Sequence, residues 1–261
     1  MRRFQKTLGT IALGTMILGT LFTGTTFFTS CSETLGPNEL GGSSVPDLCD
    51  VGKKYSGTVS VPGAYIPGFD HMTEQAVVTK NENGNVTIAV DVAFDSVFVH
   101  ALDSALGTGA LPPGIRNSVI SEYARRYGAT LDTLNKSSMK AHVDFKLKIT
   151  NEGIQEYVNG RGDLSKPYTI VKYAANVGDT YSYTNPDGVL ITRKVVYKST
   201  TDDYPLAFWN IKVTKVEETK DDLLMEKITY YANHKFGLVG VLLRTKSGKE
   251  LKIGIFPPNL Q

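Results

Sequence analysis

Four histidines, two cysteines and one tryptophan are the residues of this 261-residue chain with the most distinctive chemistry. His71, His100, His142 and His234 are widely scattered and lack metal-ligand spacing. His71 follows Asp70, a lone pair that specifies no site. His142 falls on the polar face of an alternating segment and His234 in a connector, both surface positions. Serine-elbow, zinc-helix, nucleotide-loop and calcium-loop motifs do not occur, and Gly107-Thr108-Gly109 reads as a turn. Cys49 has no adjacent base that would make it a nucleophile. The expectation is a non-enzyme with no catalytic, cofactor-binding or metal residue.

Two further features carry binding chemistry. Arg161-Gly162-Asp163 spells the tripeptide of integrin ligands; between Asn159-Gly160 and Leu164-Ser165 it reads first as an exposed turn, with a surface adhesin as an alternative. Aromatic residues concentrate in the second half: Tyr181, Tyr183, Tyr197, Tyr204, Phe208, Trp209, Tyr230, Tyr231 and Phe236. Cross-strand packing accounts for most of them. Tyr204-Pro205 and Phe208-Trp209 flank a loop and a strand start, the place for a face that binds a lipid, glycan or peptide.

The elements that must position these residues are strands. Val86, Ile88, Val90, Val92 and Phe94 alternate with polar or small partners. Met139, Ala141, Val143, Phe145, Leu147 and Ile149 alternate with Lys140, His142, Asp144, Lys146, Lys148 and Thr150. One wet face and one dry face are the signature of antiparallel sheet. Asn81 to Gly84 predicts a hairpin between 75–80 and 85–95. Further strands are expected at 167–174, 180–184, 189–198, 206–217, 223–233, 237–245 and 250–256, joined by turn-like connections. The fold class is therefore mainly β, an antiparallel meander forming a sandwich, open barrel or curved sheet. One helix is expected over about 115–127, closed by Gly128, and a shorter one over 151–158. The organisation reads as an N-terminal β-rich half with the helix over 51–160 and a C-terminal antiparallel meander over 161–261.

Ahead of this body the chain has another character. Arg2, Arg3 and Lys6 precede an uncharged run over 7–28, which ends at Phe28-Thr29-Ser30-Cys31. A basic start, an apolar run and a terminal cysteine in that order resemble the signal peptide and lipobox of bacterial lipoproteins. Phe28 and Ser30 depart from the family's preferred Leu and Ala or Gly. The resemblance implies removal of 1–30, acylation (palmitate among the chains) of Cys31 as lipid anchor, and attachment to the bilayer. More than one acyl chain is needed for stable anchoring, because each buried methylene contributes only about 0.8 kcal/mol. Residues 31–50, rich in Gly, Ser and Pro, read as a flexible tether. Ser32 after the cysteine implies outer-membrane sorting within the cell envelope. If Cys31 is not acylated, a Cys31–Cys49 disulfide is the rival.

Composition bounds the function. With 41% apolar and 21% charged residues the chain is neither disordered nor a polytopic membrane protein. Its formal charge of +2 argues against nucleic-acid binding. That charge belongs to the leader: without Arg2, Arg3 and Lys6, 25 basic residues face 26 acidic ones, a balance of −1. The reading is a non-enzymatic envelope lipoprotein that binds a lipid, glycan or protein at the membrane surface. The alternative enzyme class is an envelope hydrolase acting on glycan or protein, which would need carboxylates converging in a cleft roughly 5–9.5 Å apart.

Overall fold

A computed structural model describes residues 39–62, 73–94, 118, 121, 122, 125, 128, 130–132 and 139–260. The mainly antiparallel β expectation holds: the strands form one nearly closed, barrel-like sheet. From the N-terminal side they are β1 (Lys54–Ser60), β2 (Thr73–Glu82), β3 (Asn85–Phe94), β4 (Thr130–Asp132), β5 (Met139–Thr150), β6 (Gly153–Glu156) and β7 (Tyr168–Lys172). The chain continues through β8 (Thr180–Thr184), β9 (Leu190–Lys198), β10 (Tyr204–Leu206), β11 (Trp209–Ile211), β12 (Thr214–Lys220), β13 (Met225–Asn233), β14 (Gly237–Thr245) and β15 (Glu250–Phe256).

Neighbouring strands are mostly consecutive, as the short turns require. At the Asn83-Gly84 corner both residues take positive φ, 53° and 89°, which matches the twist of the flanking strands. The order around the sheet is β7-β6-β5-β3-β2-β1-β15-β14-β13-β12-β9-β8, with β4 paired onto β5. The first and last strands, β1 and β15, pair antiparallel, with Thr58 opposite Gly254. The two free edges are thus β7 and β8, which are successive in sequence. Strand twist curls the sheet and brings them face to face, where Tyr168 and Tyr183 stack with ring centroids 4.0 Å apart.

Residues 39–50 are part of this body, in contrast to the tether expected through residue 50. Leu40 is buried and its amide donates to Gln155 Oε1 at 3.1 Å, and Ser44 bridges Thr150. The four-residue helix α1 (Pro46–Cys49) buries Leu48 and Cys49 completely among Tyr55, Val78, Ile149, Ile154 and Val195. The apolar spacing is too sparse to announce this, because only Leu40, Leu48 and Cys49 need burying and the barrel supplies the surface.

The helix expected over 151–158 is also corrected. Residues 153–156 form β6, paired with β5 on one side and β7 on the other. A Cβ at Gly153 would strike the Val171 carbonyl, so the glycine marks a close backbone approach and not a flexible turn. Tertiary pairing overrides weak local preference here. The strand expected over 206–217 is interrupted, giving β10, β11 and β12. Of the helix expected over 115–127, Ser118, Ser121, Glu122 and Arg125 are helical, and Gly128 has the positive φ of a C-cap; the remaining positions lie outside the described residues. The expected boundary between halves falls in the β6–β7 connection, within one continuous sheet.

A second cluster lies apart from this core. The short β10–β11 hairpin packs Tyr204, Leu206 and Ile211 with Val213 and Val239, while Tyr231 and Phe236 contribute partly buried surface.

Candidate functional site

Charge and aromaticity concentrate at two places, one buried and one projecting. The buried one begins with strand parity. Ile191, Arg193 and Val195 share the inward face of β9, and Val216 and Glu218 share that of β12, so Arg193 and Glu218 enter the interior as direct cross-strand partners. Arg193 Nε donates to Glu218 Oε2 at 2.7 Å and Nη2 to Glu156 Oε1 at 2.8 Å. Its Nη1 donates to the carbonyls of Tyr168 and Thr169 at 3.1 and 3.0 Å. The guanidinium carbon lies 5.2 and 5.3 Å from the rings of Tyr183 and Tyr230. Asn159 donates to Glu156, Tyr230 Oη to Glu218, and Lys220 Nζ stands 3.0 Å from Glu218 Oε1.

All three central groups are sealed: Arg193 is 0% exposed, Glu218 1% and Glu156 4%. Burial alone would raise the Glu218 carboxyl, but the charges and hydrogen bonds of Arg193 and Lys220 outweigh it and hold it at about 2. Sealed from solvent around one guanidinium, the two carboxylates leave no room for the substrate that general acid catalysis requires. What the arrangement does is join β7 to β9 across the gap in the barrel. Spacing motifs miss it; the available signal is a charged residue between two inward aliphatics, Ile191-x-Arg193-x-Val195.

The residues singled out by type stand elsewhere. Cys49 is a free, buried thiol whose Sγ donates to the Ile149 carbonyl at 3.7 Å. Burial pushes it up, against smaller lowering by Ser44 and Val45, so it is no nucleophile. Cys31, His71 and His100 lie outside the described residues. His234 is exposed between β13 and β14. His142, exposed on β5, meets Asp91 across the strand at 2.8 Å and Asp144 at 3.4 Å; the Asp91 hydrogen bond leads in raising its pKa. Among the described residues no three His, Cys, Asp or Glu side chains gather into a metal site. Arg161 takes positive φ and pairs with Asp187, while Asp163 accepts from the Ser165 amide and hydroxyl at 2.9 and 2.7 Å. Both charged side chains of the tripeptide are engaged within the molecule.

The projecting place is the tip of the β10–β11 hairpin. Leu206 pairs with Trp209 across a two-residue turn, Ala207-Phe208. Ala207 holds φ 52°, a conformation that a non-glycine residue adopts at a cost. Phe208 is 96% exposed and Trp209 58% exposed. The base is firmly seated. Tyr204 stacks on Tyr231 with centroids 5.1 Å apart and lies over Gly240, where an added Cβ would come within 2.5 Å of the tyrosine oxygen. Beside it is a cleft of about 150 Å³ between Tyr204, Leu206, Thr58, Ser60 and Lys252, smaller than typical small-molecule sites of roughly 300–1,000 Å³. The aromatic concentration was legible in sequence, and the Tyr204-Pro205 and Phe208-Trp209 segment forms a projecting hairpin tip.

No family model, curated protein or solved structure matches this chain.

Proposed function

We propose that this chain is a non-enzymatic cell-envelope lipoprotein, acylated at Cys31 and held at the outer membrane, whose β body binds a partner at the membrane surface through the β10–β11 face. The observation that carries the binding part is the pairing of two exposed aromatic residues, Phe208 and Trp209, with a hairpin base seated on the barrel. Large apolar side chains displayed together at a tip are a contact surface, since leaving them in water forgoes roughly 1.5–3 kcal/mol each. The anchoring part rests on the Arg2-Arg3 start, the uncharged 7–28 run and Cys31. Among the described residues no helix is long and apolar enough to cross a membrane.

The hydrolase reading receives less support, because among the described residues the buried carboxylates that converge, Glu156 and Glu218, are bound to Arg193. The adhesin reading is likewise weakened by the internal pairing of Arg161 and Asp163. In a bacterial host fed an alkyne-tagged fatty acid, the wild type takes up label and fractionates with the membrane, and Cys31→Ser abolishes the label. A wild type that takes up no lipid overturns the anchoring.

A further inference from the structure

The partner at the β10–β11 face can be named from its chemistry, on the reading that the body is held near a bilayer. We propose that this hairpin is a membrane-docking finger, whose Phe208 and Trp209 enter the headgroup region of a bilayer containing anionic lipid.

The shape of the hairpin argues for this. A two-residue turn ordinarily takes glycine, asparagine or aspartate where φ is positive, yet here the corner is Ala207-Phe208. The chain accepts that strain and places a phenyl ring in open solvent. Tyr204 and Leu206 face the barrel and are buried, so the hairpin is rigid at its base and apolar at its end. Asn233 Nδ2 ties down the Lys212 carbonyl at 2.7 Å, and Ser199 Oγ accepts from the Val213 amide at 2.9 Å, fixing the returning strand. Tryptophan and phenylalanine on a small projection suit the interface between water and acyl chains, where an amphipathic indole is favoured.

Charge complements the aromatic tip. Lys212 is exposed directly after β11, and Lys235 is exposed with its ammonium 5.2 Å from the centre of the Phe236 ring. Lys215 lies over Tyr197 and Tyr231 at 4.6 and 5.4 Å, and Lys252 over Tyr204 at 5.5 Å. Lys215, Lys235 and Lys252 thus hold their ammonium groups over the rings of the aromatic patch from which the finger rises, and Lys212 follows the hairpin directly. The nearby acids are Asp202 and Asp203, which precede β10, and Glu217 and Glu250, which act on Tyr231; Asp203 accepts hydrogen bonds from Tyr197 and Ser199, and Glu217 and Glu250 pair with Lys227 and Arg244. With Glu217 and Glu250 matched by Lys227 and Arg244, the four lysines outnumber the two aspartates, which selects an anionic over a zwitterionic surface. A flat protein epitope would ask for a broader exposed apolar area than two adjoining residues at a turn.

Trp209 is the single tryptophan of the chain and therefore reports on the finger alone. The mature wild-type protein is mixed with vesicles of phosphatidylcholine containing phosphatidylglycerol, or of phosphatidylcholine only, with and without brominated acyl chains. Flotation reads the anchor and tryptophan emission reads the finger. The expected result is a blue shift and severalfold stronger quenching by brominated lipid in the anionic vesicles, both lost in Phe208→Ser, whose tip position leaves the far-ultraviolet circular dichroism unchanged. Lys212→Glu with Lys235→Glu should reduce the quenching at least severalfold. Flotation with unshifted, unquenched Trp209 overturns the finger and leaves the lipoprotein reading standing. Quenching without flotation in the phosphatidylcholine vesicles supports the finger and removes the anchor, and absence of both signals overturns both. Shielding of Trp209 by a soluble envelope-protein fraction but not by vesicles assigns the face to a protein and also overturns the proposal.

Discussion

Arg193 shows how one side chain can substitute for missing backbone pairing. Its five donors face two carboxylates and two carbonyls, and Lys220 at Glu218 supplies the second positive charge. Such a buried network is costly to assemble and more costly to break in part. Arg193→Met should therefore destabilise the protein by about 3–5 kcal/mol in urea unfolding, and Arg193→Lys should restore little of it, since an ammonium cannot bridge both glutamates in a planar fork. A loss below 1 kcal/mol would show that the network carries no such role. Acid should act on the same group. Glu218 is held at about 2 in the folded protein, below the ordinary 4.5, so its stabilising contribution is complete above roughly pH 4.5 and disappears as pH falls toward 2. The urea midpoint should fall over that window in the wild type and fall less in Glu218→Gln. At this scale the sequence was partly legible. Strand parity alone places Arg193 between Ile191 and Val195, but Glu156 is 37 residues away and nothing in its spacing announces the meeting.

Among elements, the hairpins divide into those that local chemistry specifies and those that packing specifies. Asn83-Gly84 and the Lys246 to Lys249 turn follow from residue type, and β2–β3 and β14–β15 form where expected. β6 follows instead from the space between β5 and β7, and β10–β11 from a trough on the outside of the sheet. Gly240 makes that trough. Its φ is ordinary, so a substitution there tests space alone, without backbone strain. Gly240→Val should push Tyr204 off Tyr231, cost on the order of 1–3 kcal/mol and expose the segment around 203–212 to limited proteolysis, while the β signal of the barrel persists. Unchanged protease resistance would place the hairpin's anchorage elsewhere. The expected single strand over 206–217 missed the reversal at Ala207-Phe208, across which the buried residues change parity from Leu206 to Ile211 and Val213.

In the whole molecule, the order of strands is that of a simple meander cut in an unexpected place. The chain starts and finishes in the middle of the sheet, at β1 and β15, while its connecting segment 173–179 spans the open seam. The turn Pro258–Leu260 lies against α1, which begins a few residues after the first described residue, Glu39. A permuted chain in which a flexible glycine-serine linker joins Gln261 to Glu39 and new ends are made between Asn176 and Val177 preserves every strand pair. It should fold with the same circular dichroism and a lower urea midpoint, held at the seam by Arg193 and by Lys198, which donates to the Tyr173 and Ala175 carbonyls. An unfolded permutant would mean that the covalent link, and not the side chains, keeps the barrel curled.

The sequence by itself determined the β class, most strand positions, the turns and the change of character near Cys31. Each of these is written in neighbouring residues, through period-two alternation, glycine at positive φ and the uncharged run over 7–28. Only the tertiary structure decided that 39–50 belongs to the body, that β1 meets β15, that Arg193 joins the seam and that Phe208 and Trp209 stand outside. Those outcomes depend on which distant surfaces meet when the sheet curls, and a side chain's burial is a property of the closed barrel, not of its neighbours along the chain.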